Sequence, residues 1–530
     1  MKESLYLMNV YKTAVLCGLM FFLSAAFHEG PWYYLLLTAA QLVYVPLVLM
    51  LVMQKEDWFY KTYKWIAPFG YGSVLLLHIL GPSPADPILA GVYLLFTVIV
   101  ASYGLTRFLK RGFVQFEEFS IDMGLISLMI GGGWFFAHIA EIDTGFSPII
   151  TWLTGIHFHY SSFLLPVFAG FLGRMLKGTV YRAAVSILII SPAIVAAGIA
   201  FSVWLELFSV VLYIIGIYAL IWLSFKADIP GGKWLIRLSF LSLGMTILFS
   251  LAYASGNAFG EYAVSIDTML KFHGVLNGGV FALAGVIGWH VYKPAPAALP
   301  SFPVSRIRGR QHVADLAAEA QIHEGLVDDM RIYGIGPLSE TIVDFYEHTK
   351  EYSLFAEVHW HTWFKPFAFF YHWISSRTEQ IHLPLSSAQK EMTGGIYTVK
   401  EGLDGRPSVR AWHRQIDEKT VFLALYSYHQ KDGETYMNIA LPLPGCSMIG
   451  ILELRKDCDA LLLTSRKQNP SSDSGIYLAW RDHLFKLPLD EVFRVEETEE
   501  GKLAATHHMK AAGIPFLTID YMISKKESSF

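Results

Sequence analysis

The feature that most constrains this chain is a succession of long apolar runs over roughly its first 290 residues. Each run is about 18 to 25 residues long, the length of a helix that spans the hydrocarbon core of a bilayer. Ten runs are recognisable, at 13–27, 32–53, 65–80, 88–106, 121–138, 147–173, 183–199, 204–225, 236–254 and 268–291. They predict an all-α membrane domain, a polytopic bundle of about ten transmembrane helices with the lipid bilayer as its surroundings.

The composition narrows the class of protein further. Charged residues make up 16% of the chain, below the roughly 25% that is usual for soluble proteins. The formal net charge is −4, and no basic, aromatic stripe of a nucleic-acid module is present, so we expect no nucleic-acid partner. Three cysteines, Cys17, Cys446 and Cys458, form neither a disulfide framework nor a CxxC pair.

The positions of lysine and arginine predict the orientation of the bundle. Short loops that are rich in these residues stay on the cytoplasmic side. Cations precede the first run and follow the second, fourth, sixth, eighth and tenth runs, whereas the loops near 28, 81, 141, 200 and 255 contain none. This alternation predicts a multi-pass protein of the cell membrane with both termini in the cytoplasm.

The chain changes character after residue 292. Residues 293–310 form a linker rich in proline, alanine and basic residues, which separates the membrane domain (1–292) from a cytosolic α+β domain at 311–530. Helical spacing at 311–331 and at 338–352 predicts helices within 311–375, with Ser339 as the N-cap of the second. From 376 to 530, short β-branched runs alternate with turn signals and predict an antiparallel β-barrel or sandwich.

Two features of the second half suggest a ligand-binding cavity and a surface that contacts the membrane or the membrane domain. A small barrel has room for one hydrophobic ligand, although a filled core is an equally good expectation. The segment 357–375 carries three Trp and four Phe, a composition that suits a membrane interface or docking onto the membrane domain.

Ionisable side chains inside a membrane are costly, so those within the apolar runs are the candidate site residues. With the predicted orientation they collect in one layer, toward the outer side. The candidates are His138, Glu141, His157, His159, Tyr160, Glu206, Lys271, His273 and Asn277.

Helix geometry selects among these candidates. Residues two apart point in nearly opposite directions, so His157 and His159 cannot both face one pocket. His273 and Asn277 are four apart and share a face, beside the small residues Gly274 and Gly278, which let another helix approach closely. We therefore expect the sixth and tenth spans to form an inward-facing polar site.

Three functions fit such a site. It could bind a small ligand or relay protons in a transporter or permease-like protein, with the β-rich domain as a regulatory module. It could instead hold a metal or haem for an oxidoreductase, with His157 and His273 as the candidate ligands. In the third interpretation the membrane half mainly anchors a sensor or lipid-binding domain, and the polar residues only join helices. No catalytic residue, cofactor or nucleotide-binding motif can be assigned, and an enzyme is the less favoured class.

Four segments carry a resemblance to a known family. They are TGIHFHYSSFLLPVFAG at 154, MLKFHGVLNGGVFALAG at 269, DGETYMNIALPLPG at 432 and GIPFLTIDYMI at 513. On these segments the chain resembles the YndJ-like family of Bacillus-type multi-pass membrane proteins, over nearly its whole length. The resemblance implies a membrane architecture and no particular reaction.

Overall fold

The structure is a computed structural model that describes residues 2–113, 115–261, 264–296, 302–309, 322–469, 472–481, 483–499 and 501–526. The chain divides into two compact units. The first comprises Met1–Phe108 and Gln115–Ala297, and the second Leu109–Val114 and Ala298–Phe530. Two sets of residues lie outside the described part of the chain. They are residues 297–301 and 310 of the predicted linker, and residues 311–321 of the predicted helix at 311–331.

The first unit is helical, and a helix occupies each of the ten predicted positions. They are α1 (Lys2–Ala26), α2 (Tyr34–Val52), α3 (Trp58–Ile79), α4 (Asp86–Arg111), α5 (Phe116–Ile139), α6 (Pro148–His159, continuing through Tyr160–Leu164 and Leu165–Gly173), α7 (Thr179–Phe201), α8 (Val203–Lys226), α9 (Lys233–Phe259) and α10 (Ile266–Val291).

Eight helices of the described chain are long and apolar enough to cross a membrane, and α3 and α6 are not among them. The predicted count of ten crossings is therefore not confirmed. In α6 the reason is the polar run His157, His159, Tyr160, Ser161 and Ser162, which dilutes its apolar residues. In α3 the first two turns carry Lys61 and Lys64.

Three of the helices are interrupted by π-helical turns. They lie at Ala40–Tyr44 in α2, at Tyr160–Leu164 in α6, and at Met269–Gly274 and Asn277–Phe281 in α10. In α2 and α6 a proline follows two residues later, Pro46 and Pro166. A proline inside a helix lacks the N–H donor and clashes with the carbonyl four residues earlier, and a widened turn relieves that clash.

Twelve antiparallel strands dominate the described part of the second unit. They are β1 (Tyr352–Trp360), β2 (Lys390–Thr398), β3 (Arg410–Ile416), β4 (Lys419–Lys431), β5 (Glu434–Leu443), β6 (Cys446–Asp457), β7 (Ala460–Thr464), β8 (Gly475–Trp480), β9 (His483–Lys486), β10 (Leu489–Glu499), β11 (Lys502–Ala511) and β12 (Ile514–Lys525).

The strands close into a barrel. Their order is β5-β4-β3-β2-β1-β12-β11-β10-β7-β6, and β5 also pairs with β6, so these ten form a ring to which β8 and β9 are added at β6. The β4–β5 turn shows why the sequence folds this way, since Asp432 and Gly433 both have positive φ (53° and 83°), as a tight hairpin requires. The prediction of a barrel or sandwich is thus resolved as a barrel.

Two predictions for the start of this unit were wrong in detail. Residues 338–352 were predicted as one helix, but α11 covers only Glu340–Glu347, with Ser339 as its N-cap. The region 311–375 was predicted to be helical, yet it contains β1, whose alternate residues from Tyr352 to Val358 are buried. Burial of every second residue is typical of a strand. Over so short a stretch the same apolar residues also fit a helical spacing, which led to the prediction of a helix.

Two helices close the ends of the barrel. α11 supplies Ile342, Phe345 and Tyr346 to the barrel core. At the other end lies α12 (Lys365–Thr378), preceded by Phe364, whose ring packs against Phe516 at 4.7 Å between centroids.

Candidate functional site

The predicted pairing of α6 with α10 is the centre of the candidate site. The rings of His157 on α6 and His273 on α10 lie 6.4 Å apart between centroids. Nδ1 of His157 is 2.7 Å from the carbonyl oxygen of Leu153. A carbonyl oxygen only accepts, so Nδ1 carries the proton and Nε2 presents a lone pair. Within the described residues Nε2 has no hydrogen-bond partner, and the side chain is exposed.

His273 is held in a closed ring of hydrogen bonds. Its Nδ1 donates to the carbonyl oxygen of Thr246 on α9 at 3.0 Å. Its Nε2 lies 3.1 Å from Nδ2 of Asn277 and accepts from it, and Oδ1 of Asn277 accepts from the Thr246 hydroxyl at 2.7 Å. The ring fixes the neutral tautomer of His273, because each donor in it meets an acceptor.

The His157–His273 pair lies beside the interrupted parts of the helices. Tyr160, the first residue of the α6 π-turn, donates to the carbonyl oxygen of Leu36 on α2 at 2.7 Å. Tyr44 on α2 donates to the carbonyl oxygen of Gly278 on α10 at 2.5 Å. A Cβ atom on Gly278 would lie 3.1 Å from the Leu36 side chain, so the glycine permits this close approach. The Tyr44 hydroxyl thus joins the π-turns of α2 and α10, and the Tyr160 hydroxyl joins the π-turn of α6 to the first turn of α2.

His159 faces away from this site, as the helix geometry requires. It is fully buried, and its Nδ1 lies 2.8 Å from the carbonyl oxygen of Gly155. Its Nε2 lies 2.9 Å from the hydroxyl of Tyr93 on α4. Both ring nitrogens are therefore occupied, Nδ1 within α6 and Nε2 by the packing of α4 against α6.

The remaining predicted residues lie elsewhere. Nδ1 of His138 contacts the carbonyl oxygen of Pro148 at 3.1 Å, and Glu141 is an exposed residue with φ 53° after α5. The carboxylate of Glu206 on α8 is held by Asn257 of α9 at 3.3 Å. Lys271 is exposed and pairs with Asp267 at 2.6 Å. The structure does not bring these four side chains to the His157–His273 pair.

Sequence analysis missed a buried ion cluster in α4, α5 and α6. Arg107 donates to Asp122 at 2.6 Å and to Glu118 at 2.8 Å, and Arg174 donates to the same Glu118 at 2.7 Å. These side chains are at most 5% exposed. The signal in the sequence was FEEFSID at 116, three acidic residues at the start of an apolar helix.

The structure bears on the metal interpretation in one respect. In the parts of the chain that it describes, no group of three or more His, Cys, Asp or Glu side chains is placed to hold a metal ion. The candidate ligands His157 and His273 supply two imidazoles, and no third such side chain of the described residues is placed to complete a metal site with them.

Together, the helical unit and the barrel define a multi-pass membrane protein with an attached antiparallel β-barrel domain. The comparisons with known proteins agree with this class. A family model described as YndJ-like protein matches residues 35–281. The chain is 39% identical over 452 residues to the Bacillus subtilis (strain 168) protein named "Uncharacterized membrane protein YndJ". The alignment covers 82% of this chain and 83% of the Bacillus subtilis protein.

The chain therefore belongs to the YndJ-like family. The alignment with the Bacillus subtilis protein is longer than the helical unit, so the similarity extends into the barrel. No solved structure matches the chain.

Proposed function

We propose that the helical unit is a permease-like carrier for a small polar solute, which binds beside His157 and His273. The observation that carries the proposal is the lone pair of His157 Nε2, which faces no protein donor in the described chain and lies beside the fixed ring of His273. A solute that presents an N–H or O–H group would satisfy this nitrogen.

Proton chemistry at His273 gives the site two arrangements. A proton taken up at Nε2 turns this atom from an acceptor into a donor, which then faces the donating Nδ2 of Asn277. Rotation of the Asn277 amide restores that bond, and the Thr246 hydroxyl then accepts from Nδ2 and donates instead to the carbonyl oxygen of Leu243, 3.1 Å away. Protonation therefore reverses the direction of the hydrogen bonds that join α9 to α10, which gives a proton-linked carrier two distinct states of the site.

The interrupted helices support a carrier. Transporters commonly bind their substrates where membrane helices are discontinuous, because backbone there is freed from regular hydrogen bonding. π-turns are also frequent at functional sites. Here α6 and α10 supply the two histidines, and both contain π-turns: the one in α6 begins at Tyr160, three residues after His157, and one in α10 includes His273.

The test is uptake into proteoliposomes that contain the full-length protein. A panel of labelled small amines, amides, polyols and organic acids is screened at an imposed pH gradient. We expect His157→Ala and His273→Ala each to lower uptake of the transported solute at least tenfold, while the proteins remain folded. His138→Ala is the matched control, since this histidine lies away from the pair, and uptake should stay near that of the wild type.

The proposal fails if both variants transport the solute at the wild-type rate. It also fails if no solute of the panel crosses and none raises the melting temperature of the wild-type protein. Conversely, loss of uptake in His138→Ala alone would move the site to the His138 end of α5.

A further inference from the structure

The interior of the barrel contains a charged side chain, Arg414, that forms no ion pair within the described residues. Arg414 points inward from β3 and is 9% exposed. Its Nε atom is buried and has no hydrogen-bond partner, and no carboxylate of the described residues forms an ion pair with its guanidinium. A buried charge is normally paired, because removing it from water without a partner is costly.

Two aromatic rings orient the Arg414 guanidinium. Its Cζ atom lies 4.3 Å from the ring centroid of Trp412 and 4.5 Å from that of Phe422. Contacts of this kind cover the faces of the guanidinium and leave its edge for hydrogen bonding. The fork of N–H groups along that edge matches the two oxygens of a carboxylate.

A cavity lies directly beside Arg414. Its volume is 60 Å³, and its wall includes Tyr426, Met437, Leu452 and Tyr521 together with Arg414. Apart from the arginine and the tyrosine hydroxyls, these lining groups are apolar. At about 10–15 Å³ for each water-sized group, the space admits roughly four to six non-hydrogen atoms.

The interior also contains a carboxylate, that of Glu491, and a histidine engages it. Glu491 on β10 lies 3.2 Å from Nε2 of His507 on β11, and the ring of His507 stacks on Phe493 at 3.6 Å. Burial raises the pKa of Tyr521 to about 12, and nearby Arg414 acts in the opposite direction. Tyr521 is therefore a neutral hydroxyl beside the guanidinium, a second donor for an anion.

From these contacts we infer that the barrel is a binding site for a short-chain aliphatic monocarboxylate. The carboxylate pairs with the edge of Arg414, and the apolar body fills the cavity between β3, β5, β6 and β12. The site is separate from the His157–His273 pair and would make the barrel a sensor of small organic acids.

The test uses radiolabelled butyrate and the full-length protein in detergent, with equilibrium dialysis as the measurement. We expect one saturable site for each chain and competition by unlabelled butyrate. Butyramide has the same size and no charge, so it should not compete. Arg414→Met keeps an apolar side chain of similar length and should weaken binding at least tenfold.

The controls separate a lost site from a lost fold. Arg494→Gln removes an exposed arginine from the same barrel and should leave butyrate affinity unchanged. Arg414→Lys keeps the charge without the fork and should bind more weakly than the wild type, with the circular dichroism of the folded protein. The inference is overturned if butyrate does not bind saturably, if butyramide competes equally, or if Arg414→Met or Arg414→Lys binds as the wild type does.

Discussion

Glu118 is the residue on which the buried ion cluster depends, because both Arg107 and Arg174 donate to it. Removing one partner of a buried ion pair leaves an uncompensated charge, which costs about 3–5 kcal/mol. Glu118→Gln is therefore expected to lower the free energy of unfolding by an amount in this range, measured by denaturation in mixed micelles.

Lys177 provides the matched control for that measurement. It pairs with Glu117 at 2.7 Å but is 50% exposed, and exposed pairs contribute about 0–1 kcal/mol. Lys177→Gln should thus change stability little. If the two variants lose equal stability, burial does not determine the strength of these pairs.

The opposite directions of His157 and His159 follow from the helical repeat alone, so the sequence was enough to separate them. Their partners were not predictable in the same way. Whether His159 meets Tyr93 depends on which helices are neighbours, and apolar periodicity does not specify that. The ion cluster was missed for a similar reason, since an acidic residue near the end of a span looks like an interfacial group until its arginine partner is known.

Among the described elements of the barrel unit, α12 carries a cluster of exposed aromatic side chains. Phe367, Phe369, Phe370 and Trp373 are each between 57% and 72% exposed, and Lys365 and Arg377 flank them. Helices of this composition lie in the interfacial region of a bilayer. The barrel follows a membrane span closely in sequence, so we expect α12 to contact the surface of that same membrane.

A fluorescent label on a single cysteine tests this contact in the full-length protein in nanodiscs. With Cys17, Cys446 and Cys458 replaced by serine, a label at Phe370→Cys should be quenched by brominated lipids. A label at Lys502→Cys serves as the control, since this exposed residue lies at the α11 end of the barrel. Equal quenching at both positions would show that α12 has no special contact with lipid.

The helices of the first unit could be placed from sequence because a long apolar run has few other solutions in a membrane. Their π-turns were not predicted, although Pro46 and Pro166 mark two of them. A proline shows where regular hydrogen bonding fails, but it does not determine whether the chain kinks or widens. The strand β1 was missed because its apolar residues also fit a helical spacing over a short stretch.

The number of membrane crossings decides how the whole molecule is oriented. If α3 and α6 both cross, the cation-bearing loops all lie on one side, and we expect both termini and the barrel in the cytoplasm. Cysteines introduced on either side of each helix test this, with the three native cysteines replaced. Pro84→Cys and Asp143→Cys should react with an impermeant maleimide in intact cells. Glu56→Cys and Lys177→Cys should react only after permeabilisation.

Each helix has its own pair of positions in that experiment. Glu56 and Pro84 flank α3, and Asp143 and Lys177 flank α6. Labelling of both members of a pair under the same conditions would show that the helix between them does not cross. If only one of the two helices did not cross, every loop after it would lie on the side opposite to the one predicted. The cation pattern does not support such an inversion.

The ring order of the barrel has a consequence for the synthesis of the protein. β12 lies between β1 and β11 and pairs with both along almost its full length. The barrel cannot close until residue 525 has left the ribosome, and until then β1 and β11 each carry an unsatisfied edge. Unpaired edges recruit strands from other chains. A nascent or truncated chain that stops before Ile514 would therefore be a substrate for chaperones and proteases rather than a smaller version of the same domain.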